Sequence, residues 1–275
     1  MLKRILVALS GTPYTPVAVR RAVDLAQRHD ASLTCVTVVD IERLSDVGPV
    51  PIGGASKAHD LAEHRMAVTQ ERVETEIAGF ERACTEASVP YVVDRERGDA
   101  FELLLALWRY HDLTIIGLRG LFEYGVVQNP DDHVTKLIRH GVRPIIAVSP
   151  DYREVNRVLM AYDGSPQGAM AMKRFAQLHL WPEATIKLAC FGFDDEVATP
   201  LLIDATAYLR AHGYEPEAES MPGEATPGLL AHAQEWGADL VVMGSTYRSR
   251  ILKLVMGPTT HEALMHAGVP LFLSQ

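Results

Sequence analysis

Short apolar runs alternate along the chain with longer segments in which apolar residues recur every three or four positions. The short runs are rich in Val, Ile and Leu, which is typical of buried strands in parallel sheets. Each longer segment carries one apolar face, which predicts an amphipathic helix. Strands that alternate with helices indicate β–α–β units with right-handed crossovers. The pattern therefore predicts the α/β fold class, with doubly wound parallel sheets.

The predicted elements follow the same order in both halves of the chain. In the first half, the predicted strands are residues 5–10, 32–39, 91–94, 113–117 and 143–149. The predicted helices of that half are residues 15–29, 60–87, 100–110 and 131–140. From Arg157 onward the pattern repeats, with helices near residues 166–179, 196–212, 226–236 and 258–267. Residues 47–55 are rich in Gly and Pro, which predicts a surface loop.

An internal repeat explains why the two halves share this order. Residues 5–12, ILVALSGT, match residues 158–165, VLMAYDGS, and a proline follows each segment. Near the other end, residues 137–144 match residues 263–270. The first half is longer, and its extra length falls after the second predicted strand. The two predicted tandem domains are residues 1–150 and 155–275.

Charge and composition narrow the partners that this chain can have. Of its 275 residues, 48% are hydrophobic and 22% are charged, which is typical of globular domains. The formal net charge of −9 argues against nucleic acid or an anionic membrane surface as the main partner. No apolar run approaches the roughly 20 residues of a membrane span. The amino terminus lacks a signal-peptide pattern and the cysteines are scattered, so we expect a cytoplasmic location.

The carboxyl-terminal stretch combines the features of an anion-binding loop. A predicted strand at residues 240–243 ends at Gly244, and a predicted loop leads from there to Gly257. The segment 258–260, Pro-Thr-Thr, begins a predicted helix, because Pro suits the first turn and Thr can cap free N–H groups. A helix amino terminus beside a glycine-flanked loop directs unpaired N–H groups and a positive dipole at one place. These features favour the binding of an anion.

The spacing of this loop resembles a known motif. The pattern G-x2-G-x9-G-[ST] after a strand is that of the ATP-binding loop in the universal stress protein family. Gly244 and Gly257 match the pattern, whereas Tyr247 replaces the second glycine and Pro258 replaces Ser or Thr. Together with the internal repeat, the motif makes the chain similar to a tandem universal stress protein over nearly its whole length.

The resemblance implies an architecture for each half. Members of this family have an adenine nucleotide alpha-hydrolase-like fold, with five parallel strands in the order 3-2-1-4-5. ATP, where bound, lies at the carboxyl ends of the strands, in agreement with the general rule for open α/β sheets. Family members commonly pair through their last strand. We therefore expect a homodimer or an internal pseudo-dimer, in which residues 143–149 pair with residues 269–274.

The resemblance also implies a binding site for ATP, accompanied by Mg²⁺, in the second domain. The candidate binding residues lie at strand ends and at the start of the last helix: Asp163, Gly244, Ser245, Gly257, Thr259 and Thr260. Asp163 would lie near the ribose or a divalent ion, and Ser245 would line an adenine pocket with Cys190 and Phe191. The glycines and threonines would contact phosphates. The plainer interpretations are a turn former at Asp163, glycines required by turns, and threonines that cap a helix.

Departures from the motif weaken the second site and argue against one in the first half. Tyr247 adds bulk where close backbone approach is expected, and Pro258 removes an N–H donor. Three basic residues of the same loop either offset phosphate charge or are simply solvated surface: Arg248, Arg250 and Lys253. In the first half, Ser10 stands at the position of Asp163, and residues 130–132 carry two carboxylates that would repel phosphate. We expect no ATP binding in the first half.

Other chemistry is sparse in the sequence. The histidines show no metal-ligand spacing, so no metal site is predicted, and no nucleophile-elbow, Walker or dinucleotide-binding motif follows a strand. We therefore predict a non-enzymatic regulatory protein that binds ATP or AMP in its second domain and acts on an unidentified protein partner. The alternative is a dimeric interaction scaffold of the same family that binds no nucleotide. An adenylating or hydrolytic enzyme is the third hypothesis.

Overall fold

The structure is a computed structural model that describes residues 2–39, 53–97, 100–118, 137, 144–245, 247–250, 253–256 and 258–274. The elements of the first half are β1 (Arg4–Ala8), α1 (Thr15–His29), β2 (Ser32–Val39), α2 (Ala55–Glu86), β3 (Tyr91–Arg97), α3 (Ala100–Leu107), β4 (Leu113–Gly117) and β5 (Ile145–Val148). A 3₁₀ turn, Trp108–Tyr110, follows α3. These elements agree with the predicted ones to within two residues, except that α2 begins earlier, β3 ends later and α3 ends at Leu107. The predicted helix 131–140 lies outside the described residues apart from residue 137, as does most of the predicted loop 47–55.

The second half repeats the first in a shorter form. Its elements are β6 (Arg157–Ala161), α4 (Pro166–Leu178), β7 (Thr185–Phe191), α5 (Asp195–Ala211), β8 (Glu217–Met221), α6 (Ala225–Trp236), β9 (Leu240–Gly244), β10 (Tyr247–Arg250), β11 (Lys253–Met256), α7 (Pro258–His266) and β12 (Leu271–Ser274). Each of its four helices begins and ends within a residue of its predicted bounds.

One ten-stranded sheet runs through both halves, in the order β3-β2-β1-β4-β5-β12-β9-β6-β7-β8. Each half therefore contributes five strands in the order 3-2-1-4-5, which confirms the predicted order. The central strands β1, β4 and β5 are almost entirely buried, because helices cover both faces of a doubly wound sheet. All strand pairs within each half are parallel.

The two halves meet at the pair formed by β5 and β12, the last strand of each half. This pair is antiparallel, with Phe272 opposite Ile146 and Leu273 opposite Ile145. Both strands are fully buried, so the seam between the halves is part of the hydrophobic core. The chain thus joins its own two domains edge to edge through backbone hydrogen bonds.

Two short strands, β10 and β11, lie within the predicted loop between Gly244 and Gly257, and the sequence did not indicate them. β10 and β11 pair in antiparallel fashion, with Tyr247 opposite Met256 and Arg250 opposite Lys253. The sequence between the two strands has no Asn-Gly or Asp-Gly pair, which is the strongest local signal for a hairpin. Four-residue strands are also too short for alternation of polar and apolar residues to be recognised.

None of the helices in the described residues combines the length and the apolar character that crossing a bilayer requires.

Candidate functional site

A pocket of about 100 Å³ lies at the carboxyl ends of β6 and β9 in the second half. These two strands are neighbours in the sheet, and the strand order reverses between them, which is where open α/β sheets bind ligands. The pocket brings together four of the predicted site residues: Asp163, Gly244, Thr259 and Thr260. Sequence positions that lie far apart therefore meet at one edge of the sheet.

Asp163 follows β6 and shapes the turn that leads into α4. One carboxylate oxygen, Oδ1, accepts a hydrogen bond of 3.0 Å from the Ser165 N–H, which is the geometry of an Asx turn. Ser165 then caps α4, because its Oγ accepts a hydrogen bond of 3.1 Å from the Gly168 N–H. Asp163 is exposed, and its Oδ2 has no hydrogen bond to a described residue. The side chain therefore forms the turn and still presents one oxygen to a ligand.

The amino termini of three helices converge on the pocket. Ser165 and Gly168 belong to the start of α4, Ala225 begins α6, and Thr259 lies in the first turn of α7. The hydroxyls of Thr226 and Thr259 share a hydrogen bond of 2.9 Å that holds α6 and α7 together at this point. Each helix amino terminus carries a partial positive charge, so three of them together favour an anionic group.

Gly244 has a packing role that its position in the motif does not reveal. A Cβ added there would lie 2.6 Å from the carbonyl carbon of Gln167 and 2.7 Å from the backbone nitrogen of Gly168. The start of α4 thus passes directly over the end of β9. Thr260, which is almost completely buried, donates a hydrogen bond of 3.4 Å from its Oγ1 to the Gly244 carbonyl. Glycine is required here by the contact between helix and strand, whether or not a phosphate also approaches.

The other predicted site residues lie elsewhere or outside the described chain. Ser245 is completely buried and does not line the pocket; its N–H and its hydroxyl both donate to the Ser274 carbonyl, at 3.0 and 3.4 Å. Cys190 is also completely buried, whereas Phe191 lines the pocket. Gly257 lies outside the described residues. The adenine-pocket role of Ser245 and the phosphate role of Gly257 stay predictions.

An apolar wall closes one side of the pocket. It includes Phe191 from β7 and Met243 from β9. The Phe191 ring packs edge-on against His232 of α6, with centroids 6.2 Å apart and planes at 77°. A Cβ at Gly228 would lie 3.0 Å from the Phe191 ring, so α6 also restricts this side chain. The pocket therefore has one flat apolar surface beside its positive helix ends.

Ser165 and Ala225 also line this pocket, although neither is among the predicted site residues. The Ser-Pro pair at 165–166 is a helix-start signal that could have indicated Ser165. Ala225 has no local signal, because its position depends on how α6 packs beside α7.

The equivalent position of the first half has a different arrangement. Ser10 is completely buried, and its Oγ lies 3.1 Å from the Thr12 hydroxyl and 3.5 Å from the Thr15 hydroxyl. Thr15 begins α1 and is itself almost completely buried. The hydroxyls thus satisfy one another where the second half presents an exposed carboxylate. Across the described ranges of both halves, no group of three or more His, Cys, Asp or Glu side chains could hold a metal ion.

The fold and this pocket define a tandem, doubly wound α/β protein with a polar cleft at the carboxyl ends of its strands. The chain belongs to the universal stress protein family, whose model matches residues 1–134 and 192–274.

Several similar proteins align with almost the whole chain. A curated universal stress protein from Synechocystis sp. is 23% identical over 282 residues, covering 98% of this chain and 98% of the relative. The crystal structure of a universal stress protein from Archaeoglobus fulgidus DSM 4304 aligns with a TM-score of 0.73 at 17% identity, covering 99% of this chain and 98% of that one. A functionally unknown protein from Pseudomonas aeruginosa PAO1 aligns with a TM-score of 0.61 at 14% identity, covering 99% and 92%. The fold of these two solved structures is thus shared along the full length of the chain.

Proposed function

We propose that the second half of this universal stress protein binds an adenine nucleotide, ATP with Mg²⁺ or AMP, and acts as a nucleotide-dependent regulator in a stress response. The observation that carries the proposal is the convergence of three helix amino termini on a pocket that also presents Asp163. Such an arrangement suits a ligand with both negative phosphates and a polar sugar. A cytoplasmic location, a homodimer and a protein partner stay predictions.

The two sides of the pocket suit different parts of a nucleotide. The starts of α6 and α7, with the Thr226 and Thr259 hydroxyls, suit a phosphate group. The apolar wall at Phe191 suits the face of a purine ring. The volume of about 100 Å³ is below the roughly 300–1,000 Å³ of common small-molecule sites. We therefore place only part of the nucleotide against these residues.

A binding role fits the residues of this pocket better than a catalytic one. Asp163 is the only carboxylate in the described lining, and its Oδ1 is held by the turn. The described lining contributes no His, Cys or Lys as a general base or nucleophile. We propose that any turnover of ATP is incidental to a switch between nucleotide-bound and free states.

Titration calorimetry with ATP and Mg²⁺ tests the proposal. Asp163→Asn keeps the turn acceptor but removes the charge, and Thr259→Val removes a hydroxyl at nearly constant volume. We expect each variant to bind ATP about tenfold more weakly than the unmodified protein, as expected for the loss of one charge-assisted contact. Ser10→Ala is the matched control in the first half and should leave the affinity unchanged.

The dimeric scaffold is the alternative that this experiment separates. If neither ATP nor AMP gives a heat of binding with any of these proteins, nucleotide binding is excluded and the scaffold interpretation remains. If Ser10→Ala alone weakens binding, the nucleotide occupies the first half, contrary to the proposal. The Tyr247 and Pro258 departures from the family motif are the observations that favour the scaffold.

A further inference from the structure

A second and larger pocket, of about 570 Å³, lies where the two halves of the chain meet. Its walls come from α1, from the segment 152–156 that leads into β6, and from Trp181 after α4. Asn156 lies before β6 whereas Asp163 lies after it, so this pocket is at the opposite end of the strand from the nucleotide pocket. Its volume falls within the range of small-molecule sites. The proposed nucleotide binding does not involve this pocket.

Arg20 lines this pocket, and its positive charge has no ion-pair partner among the described residues. Its guanidinium lies over the Tyr152 ring, with Cζ 3.7 Å from the ring centroid. It makes no hydrogen bond or ion pair with a described residue, although Asp24 lies one helical turn away. Asp24 instead accepts a hydrogen bond from the Tyr152 hydroxyl. A guanidinium stacked on an aromatic face keeps its in-plane N–H donors available for a carboxylate or phosphate.

Arg21 adds a buried charge behind the same wall. Its side chain is only 2% exposed, and its Nη2 donates to the Arg153 carbonyl. Its Nε is buried without a hydrogen-bond partner among the described residues. Burial lowers the pKa of Arg21, although Tyr152 and Asp24 partly offset this effect. An incompletely satisfied buried guanidinium creates a positive potential that a nearby anion would relieve.

The charges of the described lining leave Arg20 without an ion-pair partner. Three arginines line the pocket, Arg20, Arg21 and Arg28, against two carboxylates, Asp24 and Glu154. Arg28 forms an exposed ion pair of 3.0 Å with Glu183, so the remaining two arginines and two carboxylates balance in number. The attraction for an anion therefore rests on the unpaired guanidinium of Arg20 and on the unsatisfied Nε of Arg21.

We propose that this inter-domain pocket binds a small oxyanion, the carboxylate or phosphate group of a metabolite, with the Arg20 guanidinium as its main contact. The fork of N–H donors on Arg20 matches the paired oxygens of such a group. Tyr152 holds the guanidinium in place. Because both halves supply walls, occupancy would stabilise the contact between them.

The test uses the full chain and two probes, inorganic phosphate and citrate, each titrated against potassium chloride of equal ionic strength. We expect at least one probe to raise the melting temperature and to release heat in calorimetry. Arg20→Gln should weaken that binding about tenfold, since it removes one charge-assisted contact at an exposed position. Arg109→Gln is the matched control, because it removes one exposed arginine that lines none of the pockets described above.

Three outcomes would contradict the proposal. Equal binding by Arg20→Gln and Arg109→Gln would mean that the anion does not contact Arg20. Binding that is lost in Thr259→Val, or that saturating ATP abolishes, would place the anion in the nucleotide pocket. No effect of either probe would show that the pocket takes no oxyanion. A response to phosphate alone, or to citrate alone, identifies which oxyanion the pocket recognises.

Discussion

The missing side chain of Gly244 leaves room for the backbone of Gln167: a Cβ at position 244 would lie 2.6 Å from the Gln167 carbonyl carbon. The neighbouring atom belongs to the first turn of α4 and not to a flexible side chain, so it cannot rotate away. We expect Gly244→Ala to destabilise the protein by about 1–3 kcal/mol, as for overpacking in a core. Urea unfolding followed by circular dichroism measures this change as a lower midpoint.

Gly79 provides the matched control for this substitution. It lies inside α2, where an added Cβ would have no atom within 4 Å. Ala is the better helix former, so Gly79→Ala should stabilise the protein by about 0.5–1 kcal/mol. Equal effects of the two alanine substitutions would contradict the packing role of Gly244.

The sequence predicted the strands and helices well because their signals are local. The order of the strands in each half was implied by the resemblance to a known family and agrees with the observed sheet. The reason for Gly244 was not predictable, because motif spacing marks the glycine but not the group that approaches it from α4. The meeting of Ala225 with Thr259 was equally hidden, since it depends on how two helices pack. The short strands β10 and β11 were missed because four-residue strands show no recognisable alternation of polar and apolar residues.

Substitution of Phe272 tests how much the seam between the two halves contributes to the stability of the fold. This side chain is fully buried on β12 and packs edge-on against Phe175 of α4, with centroids 5.6 Å apart. Phe272→Ala should cost about 3–5 kcal/mol, because a large cavity opens beside the antiparallel pair. Phe193→Ala, at a side chain that is 39% exposed, should change the free energy of unfolding by less than about 0.5 kcal/mol. Denaturant unfolding of the two variants compares them directly, and similar midpoints would contradict the role of the seam.

Asp163 should show its turn-forming role when nucleotide is absent. Asp163→Ala removes the acceptor of the Ser165 N–H, which should cost about 0.5–1.5 kcal/mol, the net value of one hydrogen bond. Asp163→Asn retains an acceptor oxygen at the same place and should unfold at nearly the same urea concentration as the unmodified protein. If both variants lose stability equally, the carboxylate charge and not the hydrogen bond stabilises this turn.

His111 should make stability fall on mild acidification. Its Nδ1 donates to the Leu107 carbonyl and its Nε2 accepts from the Thr34 hydroxyl, at 2.7 and 2.9 Å, so the neutral ring is satisfied on both sides. Burial lowers the pKa of His111 below its ordinary value of 6.5. The hydrogen bond to Leu107 opposes this shift in part, Arg4 adds to it, and Asp112 opposes it slightly. The folded state therefore binds fewer protons than the unfolded state, and stability is lost as the pH falls below about 6.5.

The urea midpoint should drop between about pH 7.5 and about pH 5.5, and it should drop less in His111→Gln, which cannot titrate. Some dependence should persist in the variant, because burial also lowers the pKa of His29. An identical drop in both proteins would mean that His111 is not the group responsible.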